Sequence, residues 1–395
     1  MKIKLLLLVL LAIVLIKPVA FGQDEPEDEG KPTFTFSGTI DTYVHTTFGT
    51  MNPYAGTYDG GGGENYIHAP SSAFANLKGF GLGMVNLIGS YEGEKVGFVA
   101  DLVFGPRGSD AVFGSPYYSS TGQIINQMYA YWKPTENLTL TLGNFNTFLG
   151  YEVISPAVNF HYSTSYMFSW GPFSHTGIKG NLEFGDGMNV MLAVMNPTDL
   201  TEFNPVNTYT IGAQLGHSGD AGGIWLNLIY GDQDGKLNAD VDPDGTTSMG
   251  SLFQVDLTGG WDLTETFYLG VNATYNQTAT GEVVNGSSVD DLDGDPGSFM
   301  GVALYPKLKL SESTGIGLRA EYFAIKNDYL QLFTLDDGDG SVIDLTLSLN
   351  HSIGNLTVIP EIRLDMTSDD SFYTKDFEDF TDTMVSLNFA AIYKF

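Results

Sequence analysis

The sequence predicts an all-β chain, a transmembrane antiparallel β-barrel of sixteen strands with short periplasmic turns and long extracellular loops. Three observations carry that prediction. Apolar and polar residues alternate with period two through most of the chain. The connections between alternating runs are short and long in strict turn. The apolar face of each run is rich in aromatic residues, as an interfacial girdle requires.

The first 22 residues stand apart from this pattern. Lys2 and Lys4 precede an apolar run from Leu5 to Ile16, with small residues at Ala20 and Gly22. This is the form of a secretory signal peptide over 1–22, and the run is shorter than the roughly 20 residues a spanning helix needs. Residues 23–32 contain "DEPEDEG" and read as an acidic, disordered tail. The chain has no cysteine, which excludes disulfides, thiolate metal sites and a lipid-modified cysteine anchor. Without Lys2, Lys4 and Lys17 it keeps 14 basic against 47 acidic residues, a net charge of −33 that argues against nucleic acid as a partner.

The barrel is assigned to 33–395. Its last segment, "TMVSLNFAAIYKF", shows the alternation clearly: Phe395, Tyr393, Ala391, Phe389, Leu387 and Val385 share one face. Runs of this kind predict strands over 33–44, 80–91, 94–104, 123–132, 137–148, 172–184, 187–196 and 207–217. Eight more are predicted over 222–231, 249–261, 265–276, 298–310, 314–326, 341–351, 354–366 and 383–395. Most have about the 9–11 residues a tilted strand uses to cross a bilayer. A soluble β-sandwich would also alternate, but it offers no reason for short and long connections to take turns, and closure removes the edges that so long a sheet would expose. Sixteen strands enclose room for an aqueous channel.

Two phrases are more specific than the alternation: "LTLGNFNTFLGYEVISP", Leu140 to Pro156, and "YSTSYMFSWGPFSHTGI", Tyr162 to Ile178. Through them the mature chain resembles the β-barrel porin-2 (OmpL-like) family of Gram-negative outer-membrane porins. The resemblance implies passive transport in the outer membrane and carries no catalytic or ligand-binding residue. The terminal "YKF" resembles the aromatic-ending signal read by the barrel-assembly machinery, which implies that partner for the Phe395 segment. Lipid and lipopolysaccharide surround such a barrel, and homotrimers are usual among sixteen-stranded porins.

If each apolar face meets lipid, the opposite face lines the lumen. Its acids are Asp41, Asp101, Glu183, Asp256, Glu321, Asp344, Glu361 and Asp365; its bases are Lys95, Lys179, Lys307, Lys309, Arg319 and Arg363. A Lys or Arg on the lipid side at mid-membrane would cost roughly 2–4 kcal/mol, so their confinement to one face supports the phase of each strand. Asp41, Asp101, Asp344 and Asp365 fall toward the outer mouth, and Lys95, Lys307, Lys309 and Arg319 toward the periplasm. With acid clusters in the long loops, this predicts an acidic vestibule above a mixed or basic inner lumen and a mild cation preference. The same charges also suit salt bridges that brace the wall.

Candidate chemistry is sparse. "DVDPDG" places Asp240, Asp242 and Asp244 at the start of a calcium-loop pattern, but the twelfth position is Ser251, not the bidentate Glu that an EF-hand needs. Solvated acidic loops, loosely bound calcium and calcium bridges to lipopolysaccharide all fit this composition; no other cofactor is implied. Ser174 and His175 are sequence neighbours, and adjacent strand residues point to opposite faces, so they make no nucleophile–base pair. A ligand-binding or adhesin barrel without an open pore is the competing reading, ahead of a barrel-embedded enzyme. Inward charges argue against an apolar-solute transporter.

One segment resists the pattern. "YEVISPAVNFHYSTSYMFSW", Tyr151 to Trp170, holds six aromatics and one charge, Glu152, yet has neither helical nor strand periodicity. It falls in the third long connection, 149–171, which in sixteen-stranded porins characteristically folds inward. On that resemblance Tyr151, Glu152, His161, Tyr162 and Tyr166 are expected at a constriction set by size and aromatic surface more than by charge. A segment lying against the inner wall can be apolar without facing water, and its backbone N–H and C=O groups can pair with lumen side chains.

Overall fold

Each alternating run becomes a strand, and each strand pairs antiparallel with its neighbours in sequence. The computed structural model describes residues 32–51, 72–76, 78–112, 121–233, 235, 251–279, 282–284, 287–288, 295–327, 339–374 and 379–395. The barrel strands are β1 Thr33–Phe48, β2 Gly79–Glu92, β3 Val96–Phe104, β4 Ile125–Thr135, β5 Leu138–Asn146 and β6 Ser174–Glu183. They continue with β7 Met188–Met195, β8 Thr210–Gly219, β9 Gly222–Gly231, β10 Leu252–Asp262 and β11 Phe267–Thr278. The last five are β12 Gly297–Lys309, β13 Thr314–Lys326, β14 Gly340–Ile353, β15 Leu356–Thr367 and β16 Thr383–Lys394.

The sixteen strands form one closed barrel. The seam pairs β1 with β16 from Thr39↔Lys394 to Phe48↔Val385. Phe395 completes it, exchanging both backbone hydrogen bonds with Gly38 at 3.0 Å each. A closed ladder leaves no strand edge, which is what a sheet in hydrocarbon requires. Predicted strand ends shift by a few residues. One shift moves a predicted lumen charge, because β3 begins at Val96 and leaves Lys95 exposed in the preceding turn.

Burial follows the predicted phase. On β14, Ile343, Leu345 and Leu347 are exposed on the outside while Asp344, Thr346 and Ser348 are buried inside. On β16, Phe389 and Tyr393 face out, and Ser386 and Asn388 face in. At the long-loop end, Thr50–Met51, Phe372–Thr374 and Phe380–Thr381 form a small three-stranded ladder that ties the first long connection to the last. Two short helices enter the interior: α1, Pro106–Ala111, in the second long connection, and α2, Tyr166–Trp170, in the third.

The barrel interior contains apolar cores. Tyr166 and Met167 of α2 pack with Phe299, Ala303, Tyr305, Phe323, Ile325 and Val342 on β12 to β14. Phe168 and Phe173 pack with Phe74, Val103, Ala111 and Ile154. Tyr162 packs with Tyr43, Ile359, Ala390 and Ile392. In each of the three clusters the third long connection supplies the central aromatic side chains.

Candidate functional site

The segment between β5 and β6 is locally self-shaped before it meets the wall. Pro156 sits in a turn closed by Val158 N–H on the Ser155 carbonyl at 3.2 Å. The Asn159 amide spans that turn, accepting from Val153 N–H at 2.9 Å and donating to the Val153 carbonyl at 2.6 Å. Ser165 caps α2, its hydroxyl accepting from Phe168 N–H at 3.1 Å.

Many of the other backbone groups are taken by charged side chains, most of them on the wall. Carboxylates accept the amides: Glu361 takes Tyr162 and Ser163 N–H at 2.8 and 3.1 Å, and Glu321 takes Tyr166 and Met167 N–H at 2.8 and 2.7 Å. Asp256 takes Gly150 N–H at 2.9 Å. Guanidiniums donate to the carbonyls: Arg319 to Ser163 and Arg363 to Thr164, both at 2.8 Å. Arg107 of α1 donates to Ile154 and Tyr162 at 3.0 and 3.2 Å. Hydrogen bonds to charged groups contribute about 1.5–3 kcal/mol each, roughly twice a neutral pair. The wall thus provides the ladder that a second strand would otherwise provide.

These charges also pair with each other. Arg319 binds Glu152 at 2.9 Å and Asp344 at 2.8 Å. Arg363 binds Asp365 at 2.8 Å and Asp344 at 3.3 Å. Phenols of the loop add to this, with Tyr162 Oη donating to Asp41 at 2.6 Å and Tyr166 Oη to the Arg363-paired Asp365 at 2.9 Å. Arg319, Arg363, Asp344 and Asp365 have no exposed surface, so they face the underside of the loop and not open water.

This placement revises the sequence-based site. Tyr162 and Tyr166 have 0 % exposure, and Glu152 and His161 are buried, so the four are anchors with their side chains against the wall. His161 Nδ1 lies 2.7 Å from Ser348 Oγ. Tyr151 alone of the five is half-buried, stacked on Tyr305 with centroids 4.2 Å apart. The exposed residue of the segment is instead Val158, at 74 %, with Asn159 half-buried beside it, while the Phe160 ring lies against the wall at Gly315 and Gly317. The single acid of the segment, Glu152, is covered by Arg319 at 2.9 Å.

Among the predicted lumen charges, Asp101 is buried and held by Asn126 and Gln127 at 2.8 and 3.1 Å, and also by Asn86. Asp256 is similarly held by Asn227 at 3.0 Å and Asn272 at 2.6 Å. Lys179 stands 4.0 Å from the Phe145 ring centroid. Lys307 donates to Tyr151 Oη at 2.9 Å. Lys95, Glu183 and Lys309 lie exposed at the short-turn rim, where Lys309 pairs with Glu312 at 2.9 Å. Asp240, Asp242 and Asp244 lie outside the described residues. Ser174 and His175 do not pair; His175 Nε2 lies 2.9 Å from Thr147 Oγ1, and Ser174 Oγ accepts from Asn144 at 3.4 Å.

Sequence reasoning missed Arg107 and the asparagines. Arg107 lies in a long connection, outside any alternating run. The asparagines lie on strands, but an uncharged polar residue gives less phase information than a charge.

A closed sixteen-stranded barrel with lipid-facing aromatics and an inward loop defines an outer-membrane barrel of the porin class. The chain belongs to the family described as "Putative beta-barrel porin-2, OmpL-like", whose model matches residues 33–395. It is accordingly a protein of the Gram-negative outer membrane. No curated protein matches it. Solved structures similar to it include the outer membrane channel DcaP of Acinetobacter baumannii, at 13% identity and a TM-score of 0.57, over 92% of this chain and 97% of that one. The anion-selective porin from Comamonas acidovorans aligns at 10% identity and a TM-score of 0.57, over 92% and 100% of the two chains. OmpT of Vibrio cholerae, in its trimer form, aligns at 10% identity and a TM-score of 0.54, over 93% and 100%. At such identities the likeness is one of fold.

Proposed function

We propose that the protein is a non-enzymatic, water-filled channel for passive diffusion of small hydrophilic solutes and ions, mildly cation-preferring, and that it works as a homotrimer. The observation that carries the reading is the docking of the third long connection on the charged inner wall, with Val158 and Asn159 turned to the lumen. An adhesin barrel has no use for a constriction held by so many charge-assisted bonds. The cation preference rests on the acid excess of the mature chain, which concentrates in the long connections. The trimer rests on the trimeric OmpT neighbour.

Planar-bilayer recording of the purified protein tests the reading. Stable ohmic steps are expected, in groups of three if the trimer inserts as a unit. A folded barrel that inserts without conductance steps supports the ligand-binding or adhesin alternative instead.

A further inference from the structure

The buried arginines of the inner wall are paired with carboxylates, but Lys307 is not. Among the described residues no carboxylate pairs with it, although Arg319 and Arg363 on the neighbouring wall are each paired. Its ammonium donates once, to Tyr151 Oη at 2.9 Å. Aromatic rings surround the rest of it, with the Tyr268, Tyr151 and Phe160 centroids at 4.5, 5.3 and 5.6 Å. Ring faces stabilise a cation but accept no strong directed hydrogen bond, so two of the three ammonium N–H groups keep donor capacity.

This cage opens on a cavity of about 260 Å³ between the loop and the wall, lined by Tyr151, Phe160, His161, Tyr268 and Lys307 among others, and by Glu152, whose charge is paired with Arg319. A second hollow of about 340 Å³ shares Phe160, Tyr268 and Lys307 and reaches Asp262 and Ser313 at the short-turn rim. The niche is therefore accessible from the periplasmic end, below the constriction.

The geometry points to a solute-binding niche at Lys307 for a small carboxylate carrying a flat ring. The carboxylate accepts the free ammonium N–H groups in charge-assisted bonds, and the ring lies against Phe160 or Tyr268. A carboxylate is favoured over a phosphate because Glu152 in the lining and the rim acids Asp262, Glu265 and Glu312 would repel a dianion more. A cavity this size, at the small end of ligand pockets, suits a single ring. The inference deepens the channel reading by naming a solute class, yet binding does not depend on an open pore.

Benzoate is the probe, with acetate and benzyl alcohol as controls. Saturation-transfer NMR on the protein in detergent micelles should show benzoate binding that weakens at least tenfold in Lys307→Met and is retained in Lys307→Arg. Benzyl alcohol and acetate should bind at least fivefold more weakly than benzoate, and Lys133→Met, a rim control, should change nothing. In bilayers, benzoate added from the periplasmic side should reduce the current of the wild type and not of Lys307→Met. Benzoate binding unchanged by Lys307→Met, or benzyl alcohol binding as well as benzoate, overturns the niche. Binding without any conductance leaves the niche standing and removes the channel reading.

Discussion

Arg319 shows how much one residue carries. It has 0 % exposure and contacts Glu152, Asp344, Ser163 and Thr346, joining the loop to two strands at once. Arg319→Met keeps the bulk but leaves Glu152 and Asp344 facing each other in a buried site. Removing one partner of such a pair costs about 3–5 kcal/mol, more than the loop's local docking is expected to withstand. Limited proteolysis between residues 150 and 165 should become fast in the variant, with the barrel strands still resistant. An equally protected loop would show that the ion cluster braces the wall alone. Tyr166→Phe removes a single bond to Asp365 and should loosen the same loop more mildly, by about 1.5–3 kcal/mol.

At the scale of elements, the loop and the wall fit because the wall has gaps. A Cβ on Gly317 would lie 2.5 Å from Phe160 Cε1, and one on Gly301 would overlap the Met167 side chain. Both glycines sit on inward positions where the loop presses closest. Gly301→Leu should displace α2 and broaden the distribution of single-channel conductance, with no change in the heat-modifiable migration that reports barrel integrity; a sharp, wild-type conductance would contradict this packing. Deleting residues 157–166 removes Val158, Asn159 and the wall-packed Phe160 together with the amides that cover Glu361. Conductance should rise and cation preference increase, since Glu321, Glu361 and Asp365 then face water. Unchanged conductance would mean that another element sets the narrowest point.

For the whole molecule, the test is the sign of the field. The chain carries a net charge of −30, and its inner arginines are neutralised by neighbours that the loop covers. Reversal potentials across a salt gradient should show mild cation preference that fades as ionic strength rises, because exposed loop charges are screened over about 10 Å at 0.1 M salt. Anion preference at low salt would place the governing field at Lys307 and Lys179 and not at the mouth.

Strand number, phase and the order of short and long connections were legible in the sequence, because a side-chain period of two against a lipid boundary leaves each residue only two destinations. Ile343 and Asp344 differ by one position and a full reversal of environment. That logic assigned Asp41, Asp101, Asp256, Arg319, Glu321, Asp344, Glu361, Arg363 and Asp365 to the inner face, and all are buried there. It had no hold on Arg107, or on which aromatics of 151–170 anchor and which face the lumen, since an irregular loop has no period. Those assignments came only with the tertiary structure. Apart from Arg107, the wall carboxylates and guanidiniums that shape the loop lie more than a hundred residues away in sequence, and which backbone group each one meets depends on the closed curvature of the whole barrel.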